Sequence, residues 1–216
     1  MPASFDRRVV PEGVLRFVRA CQARVPCHLG GGAALSGAFL GHRLSRDIDL
    51  VCHQKADLRA LATALPEIAA EAGGTINTVQ DAGNFVRAEL RQPDAVLDVD
   101  LVFEGTTDLE PPATIEGVQV ESLADLRAAK LTRLLSRSEP RDLVDLLFLD
   151  RAGFPPERDL ALALRKDAGV DPGVLGWLLG QFPVAPLPTM LSDLSSDELR
   201  RFRDELRERI RRAAVG

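Results

Sequence analysis

Long apolar segments are missing from this sequence. No run reaches the roughly 18–20 apolar residues that a helix needs to span a bilayer, and the first residues, Met-Pro-Ala-Ser-Phe-Asp-Arg-Arg, lack the apolar core of a secretory signal. Cysteine is also scarce, because three residues are too few and too odd in number for a disulfide framework. We therefore expect a cytoplasmic protein whose cysteines stay reduced.

An excess of positive charge is absent as well. The chain has 27 lysine and arginine residues against 32 aspartate and glutamate residues, which gives a formal net charge of −5. Such a chain has no global field that attracts nucleic acid, so a nucleic-acid partner would have to meet a local basic patch. With 45% hydrophobic and 27% charged residues among 216, the composition is that of a globular protein and excludes disordered, collagen-like and coiled-coil chains.

Two repeated dipeptides, Cys27-His28 and Cys52-His53, contain residue types that bind zinc. Both fall on predicted strands, where adjacent side chains point to opposite faces of the sheet. Neither face can then collect all four ligands. We therefore expect buried structural cysteines here rather than a zinc site.

The first half of the chain mixes helical and strand patterns. Apolar residues at helical spacing predict helices, and short apolar or alternating runs bounded by turn residues predict strands. The predicted helices cover about residues 10–21, 33–40 and 55–72, and the predicted strands cover residues 25–29, 47–52, 75–80, 84–91 and 95–103, with turns at 81–83 and 92–94. We therefore expect an α+β fold in which residues 1–121 form a mixed sheet flanked by helices.

Signals for helix starts dominate the chain from Ser122 onward. Ser122-Leu-Ala-Asp125 resembles a capping box, and Pro140 suits the first turn of a second helix. Asp171-Pro172 and Ser195-Ser-Asp-Glu198 mark two later starts. We predict that residues 122–216 form a C-terminal helical region, with the proline-rich residues 180–191 as a connector.

Aspartates are placed unusually, inside two of the predicted strands. Asp47 and Asp49 are two residues apart, so their side chains share one face of a strand, and Asp98 and Asp100 repeat the arrangement. Carboxylates this close repel each other unless a cation lies between them, and magnesium prefers such oxygen ligands. For either pair alone, the polar face of an amphipathic antiparallel sheet is an equally good interpretation.

A glycine run follows the first predicted strand. Gly30-Gly31-Gly32 lies between this strand and a short helix, where backbone N–H groups can receive a phosphate. The run is not a Walker loop, because no lysine stands at the required place.

Together, these motifs resemble the AbiEii/AbiGii-type nucleotidyltransferase toxins of the DNA polymerase β-like superfamily. The first block of the resemblance is Gly31-Gly32-Ala33-Ala34-Leu35 followed by Gly41-His-Arg-Leu-Ser-Arg-Asp-Ile-Asp-Leu50. The second is Asp125-Leu-Arg-Ala-Ala-Lys130, then Arg137 and Arg141-Asp142-Leu-Val-Asp-Leu146. One departure is Ala33, where the family usually has threonine or serine. A hydroxyl contact to phosphate is missing there, and Ser36 or Ser45 is a candidate to replace it.

The resemblance implies a nucleotidyltransferase-like fold and a magnesium-dependent reaction. A nucleoside monophosphate would move from a nucleoside triphosphate (NTP) to an acceptor hydroxyl, with release of pyrophosphate. Asp47, Asp49 and a third acid, Asp100 or alternatively Asp98, would hold two Mg2+ ions, with the third acid as a candidate base. The implied catalytic residues are Asp47, Asp49, Asp100 and Lys130, and the implied nucleotide-binding residues are Gly31, Gly32, Arg43, Ser45, Arg137, Arg141 and Asp142.

The basic residues of the second block can be interpreted in two ways, as partners of the pyrophosphate or, more simply, as an ordinary solvent-exposed helix face. Lys130, Arg133 and Arg137 form one stripe on a helix, which suits charge on a leaving pyrophosphate but is also typical of a solvated helix face. The resemblance favours the first interpretation for Lys130. Arg141 and Asp142 are interpreted as mainly structural, with Asp142 paired to a base such as Lys130 or Arg141.

The function that the resemblance implies is that of a toxin in a toxin–antitoxin or abortive-infection system. Its acceptor would be RNA, such as the end of tRNA, and a cognate antitoxin would restrain it. One alternative is a nucleotidyltransferase that modifies a small molecule, such as an antibiotic, or a protein. Self-modification at tyrosine is excluded because the chain has no tyrosine. Another alternative is an inactive scaffold with the same fold.

Overall fold

The structure is a computed structural model that describes residues 4–93 and 95–213. Residues 1–3, the predicted turn residue Asp94 and residues 214–216 lie outside the described residues. The chain divides into two compact units, the first ending at Ser122 and the second beginning at Leu123. In the described part of the chain, no helix combines the length and the apolar character needed to cross a membrane.

The first unit contains three α-helices and seven strands among its described residues. The helices are α1 (Glu12–Arg24), α2 (Gly31–Ala34), which continues as a π-helical turn (Leu35–Leu40), and α3 (Lys55–Glu71). The strands are β1 (His28–Gly30), β2 (Asp47–Cys52), β3 (Thr75–Asp81), β4 (Phe85–Gln92), β5 (Ala95–Phe103), β6 (Ala113–Ile115) and β7 (Val118–Val120). The α+β class expected from the sequence is confirmed.

The strands form one mixed sheet in the order β3-β4-β5-β2-β1-β7-β6. Strands β2 and β5 lie side by side near its centre and run parallel, whereas β1 is antiparallel to β2 and β4 is antiparallel to β5. Neither β6 nor β7 was predicted from the sequence. Each has three residues, which is too short for an alternating pattern to be recognised.

The apolar side chains of β2 and β5 belong to the core of the first unit. Ile48 and Leu50 alternate with the aspartates of β2, and Val99 and Leu101 alternate with those of β5; all four are almost fully buried. Helix α3 contacts both strands, and its apolar stripe is buried. Burial of each large aliphatic side chain contributes roughly 1.5–3 kcal/mol. This packing sets which face of each strand carries the acids.

The cysteines are free and buried, as expected. Cys27, directly before β1, is a neighbour of Cys52 in β2, and the hydrogen bond between their thiols, together with burial, raises the pKa of Cys27. Burial raises the pKa of Cys21 to about 12. The same hydrogen bond with Cys27 lowers the pKa of Cys52. Thiols with raised pKa values are poor nucleophiles at neutral pH, which agrees with a structural role for Cys21 and Cys27.

The second unit is helical throughout its regular structure. Its helices are α4 (Leu123–Ser136), α5 (Pro140–Arg151), α6 (Leu160–Lys166), α7 (Pro172–Leu179) and α8 (Ser196–Ala213), with a 3-10 turn at Pro156–Asp159. Two predicted starts are confirmed by their hydrogen bonds: Asp171 Oδ1 accepts from Val174 N at 2.8 Å and Ser195 Oγ accepts from Glu198 N at 3.2 Å. The predicted apolar stripe of α8 is buried.

Candidate active site

Four aspartates lie together on one face of the sheet. In the parallel pairing of β2 and β5, Asp47 is opposite Asp98 and Asp49 is opposite Asp100. Neighbouring strands are about 4.8 Å apart, so the four carboxylates form a compact group of like charge. Asp100 is 6% exposed, and the other three are partly exposed. The antiparallel amphipathic sheet considered above therefore does not describe this pair of strands.

Gly31 makes room for the carboxylate of Asp49. Its φ is +63°, a left-handed conformation that favours glycine, and a methyl carbon built on Gly31 would overlap Asp49 Oδ2. Gly30 pairs with Asp49 across β1 and β2, and this pairing brings the next residue, Gly31, close to Asp49. The glycine run and the acidic strand, separate motifs in the sequence, therefore meet at one point of the fold.

The loop before β2 is held by internal hydrogen bonds. The Ser36 hydroxyl donates to the Arg43 carbonyl oxygen at 2.6 Å, and the Arg43 guanidinium donates to the Leu44 carbonyl oxygen at 2.9 Å. The Ser45 hydroxyl donates to the Asp47 carbonyl oxygen at 3.2 Å. Ser36 is fully buried, which leaves Ser45 as the better candidate to replace the hydroxyl missing at Ala33.

Gly32 adjoins the same loop. A methyl carbon on Gly32 would lie 2.6 Å from an Arg43 guanidinium nitrogen and 3.1 Å from Ser45 Oγ. The glycine turn, Arg43 and Ser45 are thus close neighbours. Their contact with a nucleotide stays a prediction.

Sequence reasoning missed the partner of Asp100. Arg87 in β4 lies opposite Asp100 and donates two hydrogen bonds to its carboxylate, at 2.8 and 2.6 Å. The pKa of Arg87 is raised chiefly by this hydrogen bonding. The Arg87 side chain is 40% exposed, whereas that of Asp100 is 9% exposed. The guanidinium therefore neutralises part of the acidic face.

A further buried acid, Glu121, was also missed. It follows β7, its N–H donates to the Leu29 carbonyl oxygen at 3.0 Å, and it is 5% exposed. A methyl carbon on Gly30 would overlap its carboxylate. The sequence pattern did not predict the position of Glu121, because β7, the strand directly before it, is too short to be recognised.

In the second unit, Lys130 belongs to a buried ionic cluster. Its Nζ lies 2.7 Å from Asp145 Oδ2 and 3.8 Å from Asp142 Oδ1, and the residue is 4% exposed. Arg137 donates to both oxygens of Asp142 at 2.7 and 2.9 Å. Lys130 is therefore not part of a solvated helix face, which was the simpler interpretation.

The pairing within this second block differs in part from the sequence interpretation. Asp142 pairs with Arg137 and lies near Lys130, whereas Arg141 Nε lies 2.5 Å from Glu139 Oε2. Asp142 and Asp145 are three residues apart on α5, so both face the same side of that helix. Whether Lys130 also serves the reaction stays a prediction.

One protein family matches nearly the whole sequence. Residues 17–215 match the family described as the nucleotidyl transferase AbiEii toxin, type IV TA system. No functionally curated protein matches the sequence.

Three solved structures share the fold. A candidate nucleotidyltransferase from H. pylori is 23% identical with a TM-score of 0.59 and 93% of each chain covered. JHP933 from Helicobacter pylori is 22% identical, with a TM-score of 0.58 over 96% of this chain and 95% of that one. MenT4, a nucleotidyltransferase toxin from Mycobacterium tuberculosis H37Rv, is 14% identical, with a TM-score of 0.54 over 94% and 86%. Because the family match covers nearly all of the sequence, this chain belongs to the AbiEii family of nucleotidyltransferase toxins from type IV toxin–antitoxin systems.

Proposed function

We propose that this nucleotidyltransferase transfers a nucleoside monophosphate from an NTP to a hydroxyl of RNA, with the end of tRNA as the acceptor, and that Asp47, Asp49 and Asp100 hold two Mg2+ ions for the reaction. The observation that carries the proposal is the parallel register that sets Asp47 against Asp98 and Asp49 against Asp100, with Gly31 in contact with Asp49.

The donor set fits magnesium. Four carboxylates on adjacent strands provide hard oxygen ligands, and Mg2+ is usually bound by one or two carboxylates together with substrate phosphates. Arg87 is the cation that Asp100 contacts in the structure. Mg2+ bound here would neutralise the triphosphate and lower the pKa of the acceptor hydroxyl.

Residues of the chain would orient the triphosphate and accept the proton of the acceptor hydroxyl. Amides of Gly31 and Gly32, with Ser45 and Arg43, would orient the triphosphate. The acceptor oxygen forms a bond to the α-phosphorus while the bond to the β-phosphate bridging oxygen breaks. Pyrophosphate leaves, and the proton of the acceptor hydroxyl goes to a carboxylate, for which Asp100 is the candidate.

Lys130, Arg137, Arg141 and Asp142 are proposed on the resemblance rather than on a contact. Buried Lys130 would neutralise charge on the leaving pyrophosphate, with Asp145 and Asp142 holding its ammonium group in place. Arg137 would orient Asp142, to which it donates two hydrogen bonds.

The RNA acceptor is the part of the proposal that depends most on the family. Helix α8 is rich in arginine, but many of its guanidinium groups lie against carboxylates, among them Arg203 on Asp204, Arg209 on Asp150 and Arg211 on Glu208. This helix is therefore less positive than its composition indicates. We expect a locally recognised RNA rather than non-specific binding to any RNA.

The test uses each α-labelled NTP with Mg2+ and total RNA, followed by identification of the labelled species. We expect one size class of RNA to be labelled by the wild type. Asp49→Asn should lower labelling at least about 100-fold, since loss of one preorganised electrostatic contact costs about 10²–10³ in rate. Asp193→Asn, at an exposed position, is the matched control and should label as the wild type does.

Two outcomes would contradict the proposal. Labelling of an aminoglycoside or a protein instead of RNA would favour the alternative acceptors. Growth inhibition that persists in the Asp49→Asn variant would show that toxicity does not depend on nucleotide transfer.

A further inference from the structure

A second group of potential metal ligands lies away from the four aspartates. His28 begins β1 and His53 directly follows β2, and because these strands are antiparallel the two histidines meet at one end of the strand pair. Asp108, in the connection between β5 and β6, reaches the same place. The two imidazole rings have centroids 5.5 Å apart.

The three side chains converge on a single point. His53 Nε2 lies 3.0 Å from Asp108 Oδ1, and His28 Nδ1 lies 4.0 Å from Asp108 Oδ2. One ligand atom from each residue lies within 4.8 Å of the other two. In a tetrahedral zinc site with bonds of about 2.1 Å, ligand atoms are about 3.4 Å apart. Small side-chain adjustments would therefore suffice to bind an ion.

The hydrogen bond on the other nitrogen of His53 strengthens this interpretation. His53 Nδ1 lies 3.0 Å from the Glu104 carbonyl oxygen, and a carbonyl can only accept, so Nδ1 carries the proton. In a neutral ring Nε2 is then an acceptor, yet it faces the Asp108 carboxylate, which is also an acceptor when ionised. Three arrangements resolve this conflict: a doubly protonated imidazolium, a metal ion between Nε2 and the carboxylate, or a protonated Asp108 carboxyl group that donates to Nε2.

The second arrangement matches the usual construction of histidine metal sites. A ligating histidine commonly donates its other N–H to a backbone carbonyl, which fixes the tautomer and the ring orientation. Two imidazoles and one carboxylate suit zinc and its neighbours in the transition series and not magnesium. All three side chains are partly exposed, at 18%, 28% and 26%, so solvent can complete the coordination.

We propose that His28, His53 and Asp108 bind a Zn2+-class transition-metal ion that ties the connection between β5 and β6 to the ends of β1 and β2. His53 is four residues from Asp49, and His28 pairs with Val51, which is two residues from Asp49, so the two histidines lie about 13 Å and about 7 Å along the strands from Asp49. The paired thiols of Cys27 and Cys52 occupy the opposite face of these strands and take no part. The site is thus distinct from the proposed magnesium site and does not depend on it.

The test measures metal binding rather than activity. Full-length protein is stripped with a chelator and titrated calorimetrically with Zn2+. We expect one strong site in the wild type and in Asp49→Asn, the control that alters the acidic face only. His28→Gln and His53→Gln should bind more than about 100-fold more weakly, since loss of an outer contact alone costs about 10–100-fold.

Two further measurements keep the test decisive. Asp108→Asn changes a loop residue and leaves the sheet intact, so weaker binding in this variant cannot be attributed to misfolding, and circular dichroism checks every variant. Co2+ substitution reports the ligands, and we expect d–d bands without thiolate charge transfer. A thiolate band, zinc binding unchanged in these variants, or no zinc binding by the wild type would overturn the assignment.

Discussion

Replacement of Arg87 by methionine tests whether Asp100 is a metal ligand. Arg87 and a bound cation compete for the same carboxylate, which Arg87 holds through two hydrogen bonds in the structure. Without Arg87 and without metal, Asp100 would face Asp49 and the other acids with no guanidinium beside it. The variant should therefore lose stability in the absence of Mg2+ and bind Mg2+ more tightly.

The size of the effect follows from exposure. Loss of an exposed ion pair costs about 0–1 kcal/mol, and loss of one partner of a buried pair costs about 3–5 kcal/mol. Arg87 is 40% exposed and Asp100 is 9% exposed, so we expect a loss of about 1–3 kcal/mol. Repulsion of two charges about 5 Å apart, roughly 3 kcal/mol at an effective dielectric constant near 20, sets the upper end.

The assay is urea unfolding followed by circular dichroism, with EDTA and with saturating Mg2+. An ion present at 100 times its dissociation constant adds about 2.7 kcal/mol to the folded state, so tighter binding should shrink the deficit of Arg87→Met when Mg2+ is present. Arg91→Met is the matched control, because Arg91 lies on the same strand face, is 64% exposed and pairs with Glu89. Its stability should change by less than about 0.5 kcal/mol.

The refuting results are distinct. A deficit that is the same with and without Mg2+, together with unchanged Mg2+ affinity, would show that Asp100 is a structural partner of Arg87 and not a ligand. No deficit under either condition would contradict the stabilising role of the ion pair itself.

Two further variants separate structural from catalytic roles. Gly31→Ala should lower stability by more than about 1–2 kcal/mol and abolish nucleotide transfer, because it adds a clash with Asp49 to the strain of a left-handed backbone. Gly83→Ala is the control. Gly83 also has a positive φ but open space around it, so this variant should show the backbone strain alone. Equal losses of stability in the two would refute the contact. Lys130→Met should cost about 3–5 kcal/mol by leaving Asp145 buried without its ammonium partner. Adding Asp145→Leu should restore much of the stability, as thermal unfolding would show, and recovery of activity as well would rule out a catalytic Lys130.

The aspartate pairs show what local patterns can predict. Alternation of acids and apolar residues identified β2 and β5 with the bounds that the structure has, because a period of two is a property of the extended backbone itself. The pairing of Arg87 with Asp100 could also have been predicted from the sequence. Gln92 pairs with Ala95 across the predicted turn between β4 and β5, and counting back along both strands from that pair leads to these two residues.

The histidine cluster shows where local patterns stop. Adjacent residues of a strand point to opposite faces, which correctly predicted that the cysteines and the histidines lie on different faces of the sheet. A zinc site with all four as ligands was rejected for this reason. The third ligand, Asp108, lies in a connection without periodicity, so nothing in the sequence relates it to His28 and His53. Only the path of the chain after β5 brings it there.

The sequence alone determined the α+β class, the family and which side chains share a strand face, because these depend on spacing between near neighbours in the chain. Tertiary structure decided that β2 and β5 pair in parallel with the aspartates in register, that Asp108 lies beside His28 and His53, and that Lys130 is buried against Asp145. These contacts join residues far apart in the chain. Their register is set by burial of the apolar faces of the strands and helices as a whole, which no local spacing records.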